Sequence, residues 1–409
     1  MDALKLFTDV FGAAFFFALG FVFLWWVAMP PLFIPWMRSD REAWERWGSW
    51  STLLLAGVVA MYYGVRYFIQ LPSWLSGDLL LVGGLGGVTF LLVRAASSER
   101  WERALRRFRG DRLGLAALSV VCLYIFVGAL ETFRLPMGEF GAEKSLLDLI
   151  VQKIPNERSY SAPLASKLLN DTSAEPTPLN SNFHLLGTEQ LGKDVFVETL
   201  KGCRTALILG GLTSAIYIPL GALMGLLGGY FRKWVDDLVQ YLYSVLASVP
   251  EILLLVSIMF VQGQNRNLLG MSIALGVTGW VGLCRLVRGE TMRQSERTYV
   301  TAARSIGQSH WQIMMRHLLP NVMHLVLINF VLGFSSIVLT EAVLSYLGVG
   351  CPVGTASWGL MIDSGRSELS RDPVVWWNLT AAAVALFGLV LALNLLGDSL
   401  RRAFDPKRS

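Results

Sequence analysis

The sequence predicts an all-α polytopic membrane protein, and three observations predict it. The 409 residues are 54% hydrophobic and only 16% charged, where a soluble domain carries about a quarter charged residues. Apolar stretches of roughly 20 residues recur, each long enough at about 1.5 Å per residue to cross a hydrocarbon core of about 30 Å. These stretches are apolar on every face, without the period-two alternation of a membrane β-barrel. The mean hydropathy of +0.50 agrees.

Taken in order, the first three spans are predicted over residues 10–29, 51–70 and 75–93. The first is too long for a signal-peptide core and ends in Trp25-Trp26-Val-Ala-Met-Pro-Pro31, without a small-residue cleavage site. Its tryptophan pair suits a membrane interface instead. Residues 94–112 form a basic elbow with seven arginines against Glu99, Glu102 and Asp111. The fourth span is 113–131. A polar insert, 132–203, follows with Pro136, Pro155, Pro163, Pro176 and Pro178. Short helices are expected in it near 145–153 and 163–170, with 171–183 disordered or ordered only by what lies below. The remaining spans are 204–228, 238–262, 268–288, 322–349 and 374–397. Pro219 and Pro250 bend or end helices in this reading.

Charge sets the orientation. The elbow, the segment 285–317 and the tail beginning Arg401-Arg402 are basic, and basic loops stay in the cytoplasm. In 285–317, Arg285, Arg288, Arg293, Arg297, Arg304 and Arg316 face only Glu290 and Glu296. The slightly acidic insert then lies outside, and both ends of the last six spans lie inside. The net charge of +5 sits mostly in these loops, so it is no sign of nucleic-acid binding. Cys122, Cys203, Cys284 and Cys351 are far apart, and His184, His310, His317 and His324 form no cluster. Neither set has metal-ligand spacing, and no catalytic constellation is visible. Without a Walker A loop the chain has no such ATP site of its own.

Residues 299–321 stand out as a polar, basic segment between apolar runs. Thr298 or Ser295 can cap a short helix there. Val300, Ala303 and Ile306/Gly307 recur on one face, while Ala302 and Ala303 are small enough for another surface to come close. Gly307 can turn the chain with positive φ. A second amphipathic helix, Trp311 to Leu319, runs into Pro320. Such a helix can lie in a groove of a partner protein or lie plainly at the interface.

This segment resembles the E-A-A…G…L-P loop of ABC importer permeases through Thr301-Ala302-Ala303, Gly307 and Leu319-Pro320, with Thr301 where that family usually has Glu. Leu186-Gly-Thr-Glu-Gln-Leu-Gly-Lys-Asp194, Gly228-Gly-Tyr-Phe-Arg-Lys-Trp-Val-Asp236, Glu341-Ala-Val-Leu-Ser-Tyr-Leu-Gly-Val-Gly350 and the ending Gly397-Asp-Ser-Leu-Arg-Arg-Ala-Phe-Asp-Pro406 resemble stretches of the dipeptide, oligopeptide and nickel permeases. Arg107-Phe-Arg-Gly-Asp-Arg-Leu-Gly-Leu115 resembles their opening, and together these stretches cover about residues 105–407 and point to the second, C-type permease.

The resemblance implies a six-helix type I importer core with three extra N-terminal transmembrane helices (1–93) and an extracytoplasmic insert. The core proper would be 113–131 with 204–409, and its cytoplasmic coupling loop 289–320. Thr301, Ala302, Ala303, Arg304, Gly307, Leu319 and Pro320 would couple to an ATPase. The implied partners are a second permease, two cytoplasmic ATPase subunits that hold ATP and Mg, and an external solute-binding protein. The location implied is the inner membrane of a bacterium. Cargo would be peptides or peptide-like solutes. The alternative is a transport-inactive scaffold or sensor on the same fold, which the Thr301 departure and the extra spans suggest.

Glu341 is an acid inside an apolar run, a costly placement. It reads either as a pathway or gate acid together with Ser345, or as a helix-end acid bonded to Ser345 or a neighbouring loop. The second reading is favoured.

Overall fold

A computed structural model describes residues 99–132, 134–135, 144–151, 156–165, 168–169, 179, 184–262, 267–352 and 354–404. The spans predicted at 10–29, 51–70 and 75–93 lie outside these residues, as does nearly all of 171–183. The helices are α1 (Glu99–Gly110), α2 (Arg112–Thr132), α3 (Leu146–Val151), α4 (Val195–Phe231), α5 (Lys233–Ala247), α6 (Glu251–Gln262), α7 (Leu268–Ser295), α8 (Thr298–Ser305), α9 (His310–Gln312), α10 (Leu319–Tyr346), α11 (Trp358–Glu368) and α12 (Trp377–Phe404). A π-helical turn, Ile313–Leu318, joins α9 to α10. Among the described residues five helical stretches are long and apolar enough to span a membrane, and the bent pair α5–α6 makes a sixth.

The chain packs as two units, Met1–Arg103 with Phe126–Lys153, and Ala104–Ile125 with Ile154–Ser409. In the first, strands β1 (Arg134–Leu135) and β2 (Lys144–Ser145) pair antiparallel, Arg134 opposite Ser145. Ser145 and Asp148 cap α3 reciprocally, each backbone N–H donating to the other's side chain at 3.0 and 2.9 Å. This is the short helix expected near 145–153. The one expected near 163–170 is instead a turn and a single antiparallel bridge, Ser161 to Leu168. Pro163 and the positive φ of Leu164 (57°) suit a turn rather than a helix there.

The second unit is built around α4 and α7. Gly221, Gly225 and Gly229 recur every fourth residue and so share one stripe of α4. A Cβ on them would lie 2.9, 2.8 and 2.7 Å from the carbonyl oxygens of Trp280, Cys284 and Arg288 on α7. No real Cβ fits there, so only glycine permits this approach. Without a hydrophobic driving force between helices in lipid, such close packing is what holds two spans together. Pro219 sits inside α4 without ending it.

The helix α4 also starts earlier than expected, at Val195 rather than 204, which shortens the insert. Asp194 is the reason. Its side chain accepts from the Val197 N–H at 3.0 Å and caps the helix. Asp194 is itself held by His184, whose Nδ1 lies 2.7 Å from its Oδ2 and whose Nε2 lies 3.2 Å from Glu157 Oε1. All three side chains are buried. The end of α4 that carries Asp194 is covered by α11, a helix the apolar pattern did not reveal. The Trp358 indole donates to Thr199 O at 2.9 Å, and that of Trp377 donates to Thr188 O at 3.0 Å.

The predicted span 238–262 is not one helix. Its two halves, α5 and α6, meet at Ser248-Val249-Pro250 and are bent by 78°. Pro250 has no N–H to continue the ladder and clashes with the preceding turn. At the arginine-rich end, Arg288 of α7 holds Asp236 of α5, with Nη2 to Oδ2 at 2.7 Å, and the Arg285 guanidinium stacks 4.7 Å from the Tyr243 ring. At the same end Asp111 accepts from Ser399 (2.7 Å) and Arg402 (2.8 Å) and caps the start of α2. The Arg402 guanidinium and the Ser399 hydroxyl hold the Asp111 carboxyl down at about 2.

Gly225→Val is expected to destabilise the solubilised protein by more than the ~1–3 kcal/mol of ordinary overpacking, because backbone rather than a side chain must yield. Gly282→Ala, on α7 with nothing within 4 Å of the added methyl, is expected to be neutral or stabilising. Thermal melting in detergent measures both. Equal midpoints for the two variants would contradict the glycine seam.

Candidate functional site, the segment 298–320

The segment between α7 and α10 is fastened on one side and bare on the other. On α8, Val300 and Ala303 are buried, and in the stretch that follows so are Ile313, Met314 and Leu318. These side chains are the segment's root in its own chain. Thr301, Ala302, Arg304 and Ser305 face outward. Two large apolar side chains, Ile306 and Trp311, are 79% and 56% exposed.

Gly307 ends α8. Its φ is +83°, which L side chains rarely adopt. The Gly307 N–H donates to Arg304 O at 3.0 Å and the Gln308 N–H to Ala303 O at 3.2 Å. This pair of bonds is a Schellman cap, and it fixes the turn without a side chain. Next, Ser309 and Gln312 form a reciprocal capping box that starts α9. The helix start at Thr298 has no such device. Arg297, rather than Thr298 or Ser295, is the cap residue, and no side chain bonds there. Ser295 is instead the last residue of α7. Its hydroxyl accepts from Arg232 Nη2 at 3.3 Å.

Polar bonds tie the segment to the ends of α4, α7 and α10. Tyr230 Oη lies 2.8 Å from His310 Nδ1, and the Arg304 guanidinium stacks 4.9 Å from the Tyr230 ring. Tyr299 donates to Gln294 at 3.0 Å. The Gln308 side chain meets His317 at 2.7 Å, and Asn321 donates to His317 O at 2.7 Å. Arg232 reaches Met292 O (3.2 Å) and Glu296 (2.8 Å). It does so from φ +56°, ψ −161°, a conformation that favours glycine. The guanidinium therefore joins the α4–α5 turn to the residues that lead into α8.

Of the residues singled out from the sequence, Thr301, Ala302, Arg304 and Gly307 lie on the outer side. Ala303 does not. It packs inward beside Val300, so it leaves no room for an outside surface. Leu319 is half-buried, and Pro320 sits exposed in the first turn of α10. Ile306, grouped with Val300 and Ala303 by period, faces the opposite way because α8 has already ended one residue before it. Tyr230, Arg232 and His310 were not singled out, although the stretch 228–236 had been.

Glu341 and Ser345 are far from this segment, at the opposite end of α10, and both are buried. Glu341 Oε1 accepts from Ser345 Oγ (2.7 Å), Ser357 Oγ (2.6 Å) and Cys351 Sγ (3.2 Å). Ser345 Oγ also accepts from the Cys351 N–H at 3.0 Å, and Ser357 Oγ from the Gly359 N–H at 3.1 Å. The carboxylate thus pins the loop 350–359 to α10, the geometry of a helix-end acid bonded to a neighbouring loop. Glu341→Gln keeps an accepting oxygen and is expected to keep the fold within about 1 kcal/mol, while Glu341→Ala strands buried donors at about 1–3 kcal/mol each. Melting of the two variants checks this. A Gln variant as unstable as Ala would show that the charge, not the bonding, is required.

Residues 218–409 match the family of the binding-protein-dependent transport system inner membrane component. The chain is 30% identical over 311 residues to the oligopeptide transport system permease protein OppC of Bacillus subtilis (strain 168), covering 76% of this chain and 91% of that protein. It is 33% identical over 307 residues to OppC of Haemophilus influenzae, covering 75% and 88%. It is 32% identical over 307 residues to the glutathione transport system permease protein GsiD of Escherichia coli O6:K15:H31, covering 75% and 90%.

Proposed function

The chain belongs to the inner membrane components of binding-protein-dependent transport systems, and on that premise we propose that it is the C-type permease of an ATP-driven importer of peptides or peptide-like solutes, coupled to a cytoplasmic ATPase through 298–312. It is a multi-pass protein of the bacterial inner membrane with the permease fold. The import direction, the cargo and the coupling role are the proposal.

One observation carries the coupling role. The segment 298–312 is rigidly rooted by Val300, Ala303 and the polar bonds to α4 and α7, yet it presents exposed Ile306 and Trp311 beside exposed Thr301 and Ala302. Large apolar side chains exposed in a basic loop suit a partner groove. Small, exposed Ala302 lets that groove come close. Thr301 offers a hydroxyl where the resemblance would place a carboxylate. It makes a neutral rather than a charge-assisted bond, so the apolar contacts carry most of the docking.

The mechanism follows from the attachments. ATP and Mg are held by the partner ATPases, and their closure displaces the docked segment. Because Tyr230–His310 and Arg232–Glu296 bond the segment to α4 and its turn, and Tyr299–Gln294 bonds it to α7, the displacement reaches the two spans joined by the glycine seam. These spans tilt as a pair, and the pathway shared with the second permease changes its opening. The coupling is a free energy between distant sites and works in both directions.

Ile306→Asp is expected to weaken the ATPase attachment about tenfold or more, the equivalent of losing one buried apolar anchor. The measurement is retention of the ATPase on the purified permease pair, together with uptake of labelled peptide by proteoliposomes of the whole complex. The variant should melt like wild type, since residue 306 touches little of its own chain. Unchanged retention and uptake would refute the docking face. Uptake absent from the wild type, with ATPase still bound, would favour a transport-inactive scaffold.

A further inference from the structure

We propose that Glu251 is a binding residue of the translocation pathway, and that it takes a cationic ammonium group of the transported solute. This deepens the transport reading above and rests on it.

Glu251 opens α6, directly after the break at Ser248-Val249-Pro250. It is exposed. No hydrogen-bond or ion-pair partner among the described residues reaches its carboxylate. Its depth follows from the other end of the helix. Gln262 donates to Gly270 O at 3.3 Å, near the start of α7. Glu251 lies eleven residues before Gln262, about 16 Å along the helix at ~1.5 Å per residue. That distance is about half of a hydrocarbon core of roughly 30 Å. With α6 taken along the membrane normal, this places the carboxylate near mid-membrane.

An acid at that depth costs about 2.5–3.5 kcal/mol on insertion scales, unless it faces water or a cation. The chain handles its other intramembrane acid differently. Glu341 is buried under three donors. Glu251 has no such cover, and the helix is broken beside it. A broken span with a polar face is tolerated only where it lines a cavity or is buried in protein. The surroundings favour a cation. Ser244 and Ser248, seven and three residues before Glu251, are exposed. The Ser248 hydroxyl donates to its own helix, to Val245 O at 2.7 Å, so its oxygen is left to accept. A peptide with a free amino terminus or a basic side chain brings the matching ammonium. A cation on the second permease is the competing occupant.

The test uses the complete complex, both permeases with ATPases and binding protein, in proteoliposomes. Cys122, the one exposed cysteine among the described residues, is replaced by Ser, and Glu251→Cys is introduced. A water-soluble thiol reagent is expected to label residue 251, which reports its access to water. In uptake of peptide with a free amino terminus, Glu251→Gln is expected to lower the maximal rate about tenfold, the scale of one charge-assisted hydrogen bond, and Glu251→Asp to restore at least half. No labelling would mean that lipid or the second permease seals the residue, which overturns the proposal. So would wild-type uptake by the Gln variant, or an Asp variant as impaired as Gln. If wild-type complex imports no peptide, the transport reading and the solute assignment fall together, while labelling still reports whether position 251 meets water.

Discussion

The close approach of α4 and α7 is the constraint on which the rest of the second unit depends. Three glycines let backbone meet backbone along Trp280, Cys284 and Arg288, and no other residue type would allow it. Once the two helices are that close, their arginine-rich ends are set side by side. Arg232 in the turn after α4 can then reach Met292, Ser295 and Glu296 at the end of α7. Tyr230, two residues earlier, can reach His310. A wider helix pair would leave these side chains short, and the segment 298–320 would lose most of its anchors. The strained backbone at Arg232 is held because the guanidinium gains three acceptors.

The segment itself shows a division of labour by depth. Its inner side is closed by aliphatic packing and by backbone caps that need no side chain, the Schellman bonds at Gly307 and the box at Ser309–Gln312. Its outer side is left to Thr301, Ala302, Ile306 and Trp311. A loop built in this way moves as one body. The π-helical turn at 313–318 then delivers it into α10, so three spans share the same short piece of chain. At the far end the logic is similar, with Glu341 and the two tryptophans Trp358 and Trp377 stitching loops onto helix ends.

Much of this was legible in the sequence, and the rest was hidden for physical reasons. From residue 113 onward long apolar runs located the spans, since a helix satisfies its own backbone polar groups in lipid. The motif stretches located the segment at 298–320 and its glycine turn. Helix ends were harder. The helix α4 begins within polar residues because Asp194 caps it, and that cap depends on His184 and Glu157, ten and 37 residues earlier in the chain. The helix α11 carries too few apolar residues to show a period, and Trp358 reveals its role only through Thr199. Ile306 faces away from Val300 and Ala303, against the expectation, because the helical period was carried past the residue where α8 stops. Pro250 was expected to bend or end a helix, but Glu251 beside it escaped notice because 238–262 was counted as one span.

The central claim is that an ATPase rests on the outer side of 298–312 and on no part of its inner side. A photoreactive phenylalanine analogue placed singly at Thr301, Ile306 or Trp311, and at buried Val300 as a control, measures this in the purified complex. The account predicts ultraviolet-dependent adducts between this chain and the ATPase from the three outer positions, and none from position 300. ATPase adducts from none of the outer positions, in a complex that retains its ATPase, would contradict it.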